Sequence, residues 1–325
     1  MPDNFVMLLI AMVVTATVLP CRGVWAEVFH GLTVASIALL FFLHGAKLSR
    51  EAIVGGLTHW RLHLLVFGCT FAMFPALGVA LRPLLEPLVT PGLYVGVLFM
   101  CALPATLQSS IAFTAIARGN VPAAVCNASA SSLLGLVLSP LLIGVLLAQH
   151  GAAASLDAVR AIVLQLLLPF VVGQLARDRV GGWIARHRVA TGAVDRSSVL
   201  LVVYTAFSEA VVQGLWQQIP WPALAGLVVV CAVLLALALT ISTQLARRLG
   251  FDRQDEIAIV FCGSKKSLAA GVAMARVLFA GHAVGLVVLP VMLFHQLQLM
   301  VCAVLAQRYA ARAAEPPADP RQWAE

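Results

Sequence analysis

Long apolar runs, broken at short intervals by charged or Gly/Pro-containing junctions, make up most of the chain. A bilayer core about 30 Å thick needs roughly 17–25 mostly apolar residues per helix. Ten runs meet that need, near residues 4–20, 28–45, 61–80, 92–117, 121–149, 158–176, 197–214, 222–246, 256–276 and 283–307. The pattern predicts an all-α polytopic membrane protein with ten transmembrane helices. Arg118-Gly119-Asn120-Val121-Pro122 reads as a helix stop followed by Pro at a helix start. The longest polar connection is residues 177–196, rich in Arg and Gly. Residues 1–309 form the membrane domain, and residues 310–325, with Glu315-Pro316-Pro317, read as a disordered cytoplasmic tail.

Composition agrees. Of 325 residues, 61% are hydrophobic and 11% charged, against about 45–50% and about 25% in soluble domains. A water-soluble globule, a disordered chain, collagen and a coiled coil are all excluded by these figures. In a soluble protein a net charge of +7 would raise nucleic acid as a partner. Here the basic residues lie between apolar runs and report topology. Fifteen of the 21 Lys and Arg fall on the side of the N-terminus. Four, Arg22, Arg82, Arg160 and Arg276, fall on the other side, and Lys265 and Lys266 lie inside a run. Cytoplasmic loops carry the Lys/Arg excess, so ten spans with both termini cytoplasmic fit, whereas nine would scramble the pattern. Asp3 stands where a signal peptide would be basic, so the first run is expected to be retained. An ordinary plasma or bacterial inner membrane is the default location. The seven cysteines show no CxxC spacing and imply neither a disulfide framework nor zinc.

Ten spans divide into halves of five, and an odd number per half makes them antiparallel, as in inverted-repeat transporters. The halves run roughly over 1–150 and 158–309. The fourth span of each is interrupted. One carries Leu103-Pro104-Ala105-Thr106-Leu107-Gln108-Ser109-Ser110, the other Phe261-Cys262-Gly263-Ser264-Lys265-Lys266-Ser267-Leu268. Pro104 removes a ladder donor, and Gly263 tolerates an unwound backbone. Half-helix ends then present free N–H and C=O groups to a ligand. A simple Pro kink, stabilised by Ser and Thr bonding back to the helix, is the alternative for either segment alone.

A charge near mid-bilayer costs at least roughly 2.5–3.5 kcal/mol on insertion scales. Lys265 and Lys266 differ by about 100° around a helix, so at least one should line a polar cavity. The alternative is snorkelling to an interface. Glu209 is the one carboxylate well inside a span. It either pairs with a lysine or sits near the outer end of its span. His44, His63 and His295 read as hydrogen-bonded core residues, with no metal set. In span five, Asn127, Ser129, Ser131 and Ser132 precede Gly135, Ser139 and Pro140. Close helix packing and a polar face built by Ser129 and Ser132 are both open. The candidate substrate- or ion-binding set is Pro104, Thr106, Gln108, Ser109, Ser110, Thr114, Asn127, Ser129, Ser132, Gly263, Ser264, Lys265, Lys266 and Ser267.

These same segments carry a resemblance. Leu103 to Thr114, Ala117 to Ala124, Ser132-Leu133-Leu134-Gly135, Ser139-Pro140 and Phe261 to Ala269 resemble the bile acid:sodium symporter family (solute carrier family 10), in the branch of its seventh member and bacterial relatives. The resemblance covers essentially the whole chain. It implies ten helices in a panel and a core, with discontinuous helices four and nine crossing at the substrate and ion sites. It also implies secondary transport of an organic anion or amphipathic solute, coupled to sodium, without an enzymatic activity or other cofactor.

The sequence departs from the sodium-coupled members. Aligned on Ile257-Ala258-Ile259, Val260 falls where they carry a sodium-binding Glu, Ser264 at their Gln and Lys265 at their Asn. Ser110 matches a Ser ligand, but Ile111 replaces the next Asn. Ser132 keeps a hydroxyl at a Thr position, and Ala128 loses one. Ser110 and Ser132 are the residual sodium candidates. Because sodium prefers hard oxygen ligands, the expectation is that at least one sodium site is abolished and a lysine ammonium takes its place. A lysine attracting an anionic substrate is the second expectation. Two other classes compete: a sodium-independent transport regulator or sensor on the same scaffold, and an intramembrane hydrolase pairing Ser264 or Ser267 with a lysine.

Overall fold

The computed structural model describes residues 4–47, 59–148, 163–279 and 284–312, and every regular element among them is helical. The first group is α1 (Asn4–Val18), α2 (Val24–Lys47), α3 (Trp60–Ala80), α4 (Pro91–Ala102), α5 (Leu107–Ile116) and α6 (Val121–Ala148). The second is α7 (Leu168–Arg186), α8 (Arg188–Val212), α9 (Trp221–Arg248), α10 (Arg253–Gly263), α11 (Leu268–Leu278) and α12 (Val284–Arg312). Among the described residues, six helical segments are long and apolar enough to cross a membrane, and seven if α4 and α5 are one span bent by 63°. The chain is an all-α, multi-pass integral membrane protein.

Local chemistry sets the helix ends. Thr90 caps α4, with its hydroxyl accepting from Leu93 N and Pro91 opening the helix. Asp252 caps α10 by accepting from Asp255 N at 2.8 Å, and Ser267 caps α11 by accepting from Ala270 N at 3.3 Å. The stop expected at Arg118–Pro122 is present. Arg118 takes φ 60° and Gly119 N bonds Thr114 O at 2.8 Å. Here Gly119 is required for space rather than for its φ, since an added Cβ would lie 2.4 Å from Ile257 Cγ2. Asn120 then caps α6 at Ala123 N and donates to Asp255 Oδ1, which fixes the turn to α10.

Two expectations are corrected. Residues 177–196 are helical: α7 runs through Arg186, α8 begins at Arg188, and only His187 separates them. Arg and Ala favour helix as readily as loop, so polarity alone misread the segment. Residues 310–312, read as the start of a disordered tail, are helical, because α12 continues to Arg312. Residues 313–325 lie outside the described set, as do Arg50 and Arg160 of the loop count.

Helices α2 and α7 cross at backbone contact. A Cβ on Gly45 would lie 2.1 Å from Phe170 O, and one on Gly173 would lie 2.0 Å from Phe42 O. With lipid on the outside there is little hydrophobic drive between helices, so small residues that let backbones touch supply the packing. The same device seats the interrupted segments: Pro104 packs on Gly135 and Leu103 on Gly271, each at 2.5 Å from an added Cβ.

Gly173→Ala and Gly45→Ala should each force α2 and α7 apart and destabilise the purified protein by about 1–3 kcal/mol, read as a lowered melting temperature in detergent. Gly31→Ala, with open space around it, should melt as the parent does. Equal melting of all three would refute the close crossing.

Candidate functional site

Helix α4 stops at Ala102 and α5 starts at Leu107; α10 stops at Gly263 and α11 starts at Leu268. The two non-helical stretches touch, with Ser267 N donating to Pro104 O at 2.9 Å. In hydrocarbon, every backbone group released by such a break needs a partner. Ala105 N, which would have served Cys101 O in a continuous helix, bonds instead to Ser131 Oγ at 3.0 Å. Gln298 of α12 replaces the helical partners of the Lys266 peptide: its Oε1 accepts from Lys266 N and its Nε2 donates to Lys266 O, both at 2.9 Å.

The Lys266 ammonium satisfies the carbonyls left over. Its Nζ donates to Thr70 O, Cys101 O and Leu103 O, each at 2.8 Å, and lies 4.2 Å from the centre of the Phe74 ring. The Thr70 carbonyl is free for a reason written in the sequence. In the π turn Cys69–Met73, Phe74 N reaches back to Cys69 O. The next nitrogen in that register, which would serve Thr70 O, belongs to Pro75 and carries no hydrogen. Three N–H donors therefore meet three orphaned acceptors.

Lys265 is held differently. Its Nζ donates to Ser109 O at 2.8 Å and stands 4.0 Å from the Phe113 ring centre and 5.2 Å from that of Phe261. The side chains of both lysines are buried. Neither lines the cavity beside them, contrary to the expectation that one would. Carbonyls and ring faces, rather than water, replace their hydration. Glu209 pairs with neither lysine; it forms an ion pair with Arg276, whose other terminal nitrogen lies 3.0 Å from His30 Nδ1.

The cavity, about 340 Å³, lies against the first turns of α5 and α11. Of the candidates, Thr106, Gln108, Ser109, Ser129, Ser132 and Ser267 line it. Ser129 and Ser132 thus share a face toward the first break. Thr106 bonds Ser109 Oγ and leaves the leading N–H groups of α5 without a side-chain cap. Leu40, Phe41, Phe170 and Val199 form apolar walls, and His44, Lys47, Asp195 and Arg196 a polar rim. Lys47 donates to Asp195 Oδ2 at 2.5 Å.

The other candidates stand outside the cavity. Pro104 sits on Gly135. Thr114 and Ser264 bond back to their own helices, at Ser110 O and Val260 O. Ser110 Oγ and both polar atoms of Asn127 are buried without a hydrogen-bond partner among the described residues. Of the two residual sodium candidates, Ser132 lines the cavity and Ser110 does not. Gly263 is the last helical residue of α10, and its value is close packing: an added Cβ would lie 3.0 Å from Cys69 Cβ. Among the described residues, neither Ser264 nor Ser267 is paired with a lysine: Ser264 donates to Val260 O and Ser267 accepts from Ala270 N, while both ammonium groups donate to carbonyls. His44 Nδ1 bonds Leu40 O and His295 Nδ1 bonds Gln298, as core histidines should, but His63 Nδ1 is buried without a partner.

Sequence reasoning named Ser131 and His44 without placing them in the binding set, and missed Gln298 and the rest of the rim. Gln298 could have been found as a lone amide in the apolar run of α12, whereas Lys47 and Arg196 were absorbed into the topology count. The arrangement can hold an anion: helix N-termini offer N–H groups and positive dipole ends, and the rim adds cations.

The family model described as the SBF-like CPA transporter family matches residues 3–311. An uncharacterized protein of Pseudomonas aeruginosa is 66% identical over 313 residues, covering 96% of this chain and 94% of its own length. The putative symporter YfeH of Escherichia coli K12 is 56% identical over 307 residues, covering 94% and 92%. The sodium/bile acid cotransporter 7 of mouse is 28% identical over 273 residues, covering 83% and 80%.

Replacing Lys266 by Met strands three carbonyls, and each buried unsatisfied group costs about 1–3 kcal/mol. Lys265→Met strands one. Lys266→Met should therefore lower the melting temperature well beyond Lys265→Met. The reverse order would overturn the carbonyl assignment.

Proposed function

The chain belongs to the SBF-like CPA transporter family, and on that premise we propose that it is a secondary active transporter moving an organic anion or amphipathic solute by alternating access. The observation that carries this reading is the cavity floored by the first turns of α5 and α11, with apolar walls and a cationic rim. The N-termini would hold the anionic group, the walls an apolar body, and Arg196, the rim charge left over once Lys47 pairs with Asp195, the field that draws the solute in.

The membrane arrangement follows from counting α4–α5 and α10–α11 each as one discontinuous crossing. Ten crossings then fall into inverted halves, α1 to α6 and α7 to α12. By the excess of basic residues, both termini and the cavity mouth face the cytoplasm. This is an inward-open state, and the opposite end is closed by the Arg276–Glu209 pair and His30, which join α11 to α8 and α2. Glu209 lies about 21 Å along α8 from Asp195 at the mouth.

The mouse relative is named for sodium and bile acid; sodium is not carried over to this chain. Val260 offers no carboxylate, and the Lys266 ammonium makes the contacts a bound cation would make. Transport is therefore proposed to run without sodium.

A thermal-shift screen of the purified protein against organic anions, with sodium or choline as counter-ion, tests this. An anion that raises the melting temperature equally in both salts, and less after Gln108→Leu, is expected. Stabilisation only in sodium would refute the lysine replacement, and stabilisation unaffected by Gln108→Leu would move the site elsewhere.

Alternating access has a separate test in proteoliposomes. Ser129→Cys should react with a membrane-impermeant maleimide from the mouth side. Adding Glu209→Gln should open labelling from the other side by weakening the Arg276 pair. Equal labelling from both sides in Ser129→Cys alone would refute the inward-open assignment.

A further inference from the structure

A second concavity lies on the outer face of the bundle, between α9 and α12, separate from the first cavity in its lining, although Leu239 and Leu305 within it pack in one cluster with Phe113 and Phe261. Its volume is about 680 Å³. The lining repeats with one period on both helices: Leu239, Thr243 and Arg247 on α9, and Met300, Val304 and Arg308 on α12. Each set follows the i, i+4, i+8 spacing that keeps side chains on one helical face. Two apolar stripes thus run side by side and each ends in an arginine. Met300 and Val304 are exposed, at 68% and 52%. The Thr240 and Thr243 hydroxyls are turned back to Ala236 O and Leu239 O, each at 2.7 Å, which leaves Gln244, one turn from the arginines, as the remaining neutral polar side chain of a largely apolar channel.

The arginines are presented rather than consumed. Glu256 takes Nε and Nη2 of Arg247 at 2.9 and 3.0 Å, while Tyr309 holds the same carboxylate at 2.8 Å. That pair fixes the guanidinium in place, and the Arg247 side chain still keeps 60% of its exposure. Arg308 is exposed and has no hydrogen-bond or ion-pair partner among the described residues. Both belong to the end of the bundle with the basic excess. An apolar channel in a lipid-facing wall, closed at its polar end by two guanidinium groups, has the complementarity of one ligand class: acyl chain above, phosphate below.

We propose that the α9–α12 groove is a binding site for an anionic phospholipid of the leaflet that meets Arg247 and Arg308. Its acyl chain lies along Leu239, Met300 and Val304, and its phosphate bridges the two arginines. A zwitterionic lipid of the same chains carries its own cation and gains less from the pair. This site is independent of the transport reading.

The test is native mass spectrometry of the full chain, delipidated in detergent and titrated with phosphatidylglycerol or phosphatidylcholine of identical acyl chains. The expected result is preferential retention of phosphatidylglycerol, weakened about fivefold by Arg308→Gln, with Arg22→Gln at the opposite end as an unchanged control. Arg308 is exposed, so its replacement leaves folding intact, checked by an unaltered melting temperature. Val304→Trp, which fills the channel and keeps both arginines, should also weaken retention. Equal retention of the two lipids, no effect of either groove variant, or a dimer that excludes lipid from this face would overturn the proposal. So would equal competition by inorganic phosphate at matched concentration, which would assign the arginines to free anions.

Discussion

The interrupted helices exist because the backbone groups they release are answered from within the chain. A broken helix in hydrocarbon is prohibitive when its carbonyls stay bare. Here Pro75 and the π turn free one carbonyl, and the break at Leu103–Thr106 frees two more. A single primary ammonium, with three donors and no acceptor, closes all three at 2.8 Å. The arrangement couples α3 and α4 to the α10–α11 break, so the geometry of the cavity floor depends on one side chain.

This also accounts for two cations in a region without a carboxylate. Desolvating a charge is costly unless strong dipoles replace water. Carbonyls at the C-terminal end of α4 are such dipoles, aligned with the negative end of the helix, and ring faces add a second layer. Lys266 has the full carbonyl set. Lys265 has one carbonyl and two rings, so it is the less tightly held of the neighbours and leans toward α5, whose first turn borders the cavity. Adjacent lysines thus join different parts: Lys266 ties the breaks to α3, and Lys265 ties them to α5.

Much of this was legible in the chain. Apolar run length located most of the described helices, with the run at 158–176 set too early against Leu168–Arg186, and Pro104 with the Ser264–Ser267 cluster marked the two interruptions, because such residues inside apolar runs break a local rule. What was not legible depended on partners distant in sequence. That Lys266 meets carbonyls instead of water follows from Thr70, 196 residues away. The Glu209–Arg276 pair was equally hidden, since Arg276 read as a loop charge. Gly263 was read for backbone freedom and Gly119 as part of a helix stop, and their close approach to Cys69 and Ile257 is something spacing cannot reveal. The polar 177–196 stretch was misread because a helix leaving the membrane and a loop leaving it have the same composition.

The distribution of charge along α8 links these parts to the alternating access proposed above. Asp195 near one end pairs with Lys47 of α2, while Glu209 near the other pairs with Arg276 of α11. The first pair joins two helices that flank the mouth and leaves it open; the second joins a flanking helix to the helix that begins at the break. Sliding α11 along α8 would leave the Lys47–Asp195 pair intact and sever the Arg276–Glu209 pair. The cost of that motion is therefore concentrated at the closed end. In the proposed cycle, an anion entering from the mouth would meet the N-terminus of the same α11 helix whose far end carries Arg276. Binding at one end and release at the other would then be joined by a single helix of eleven residues, short enough to move as a rigid body.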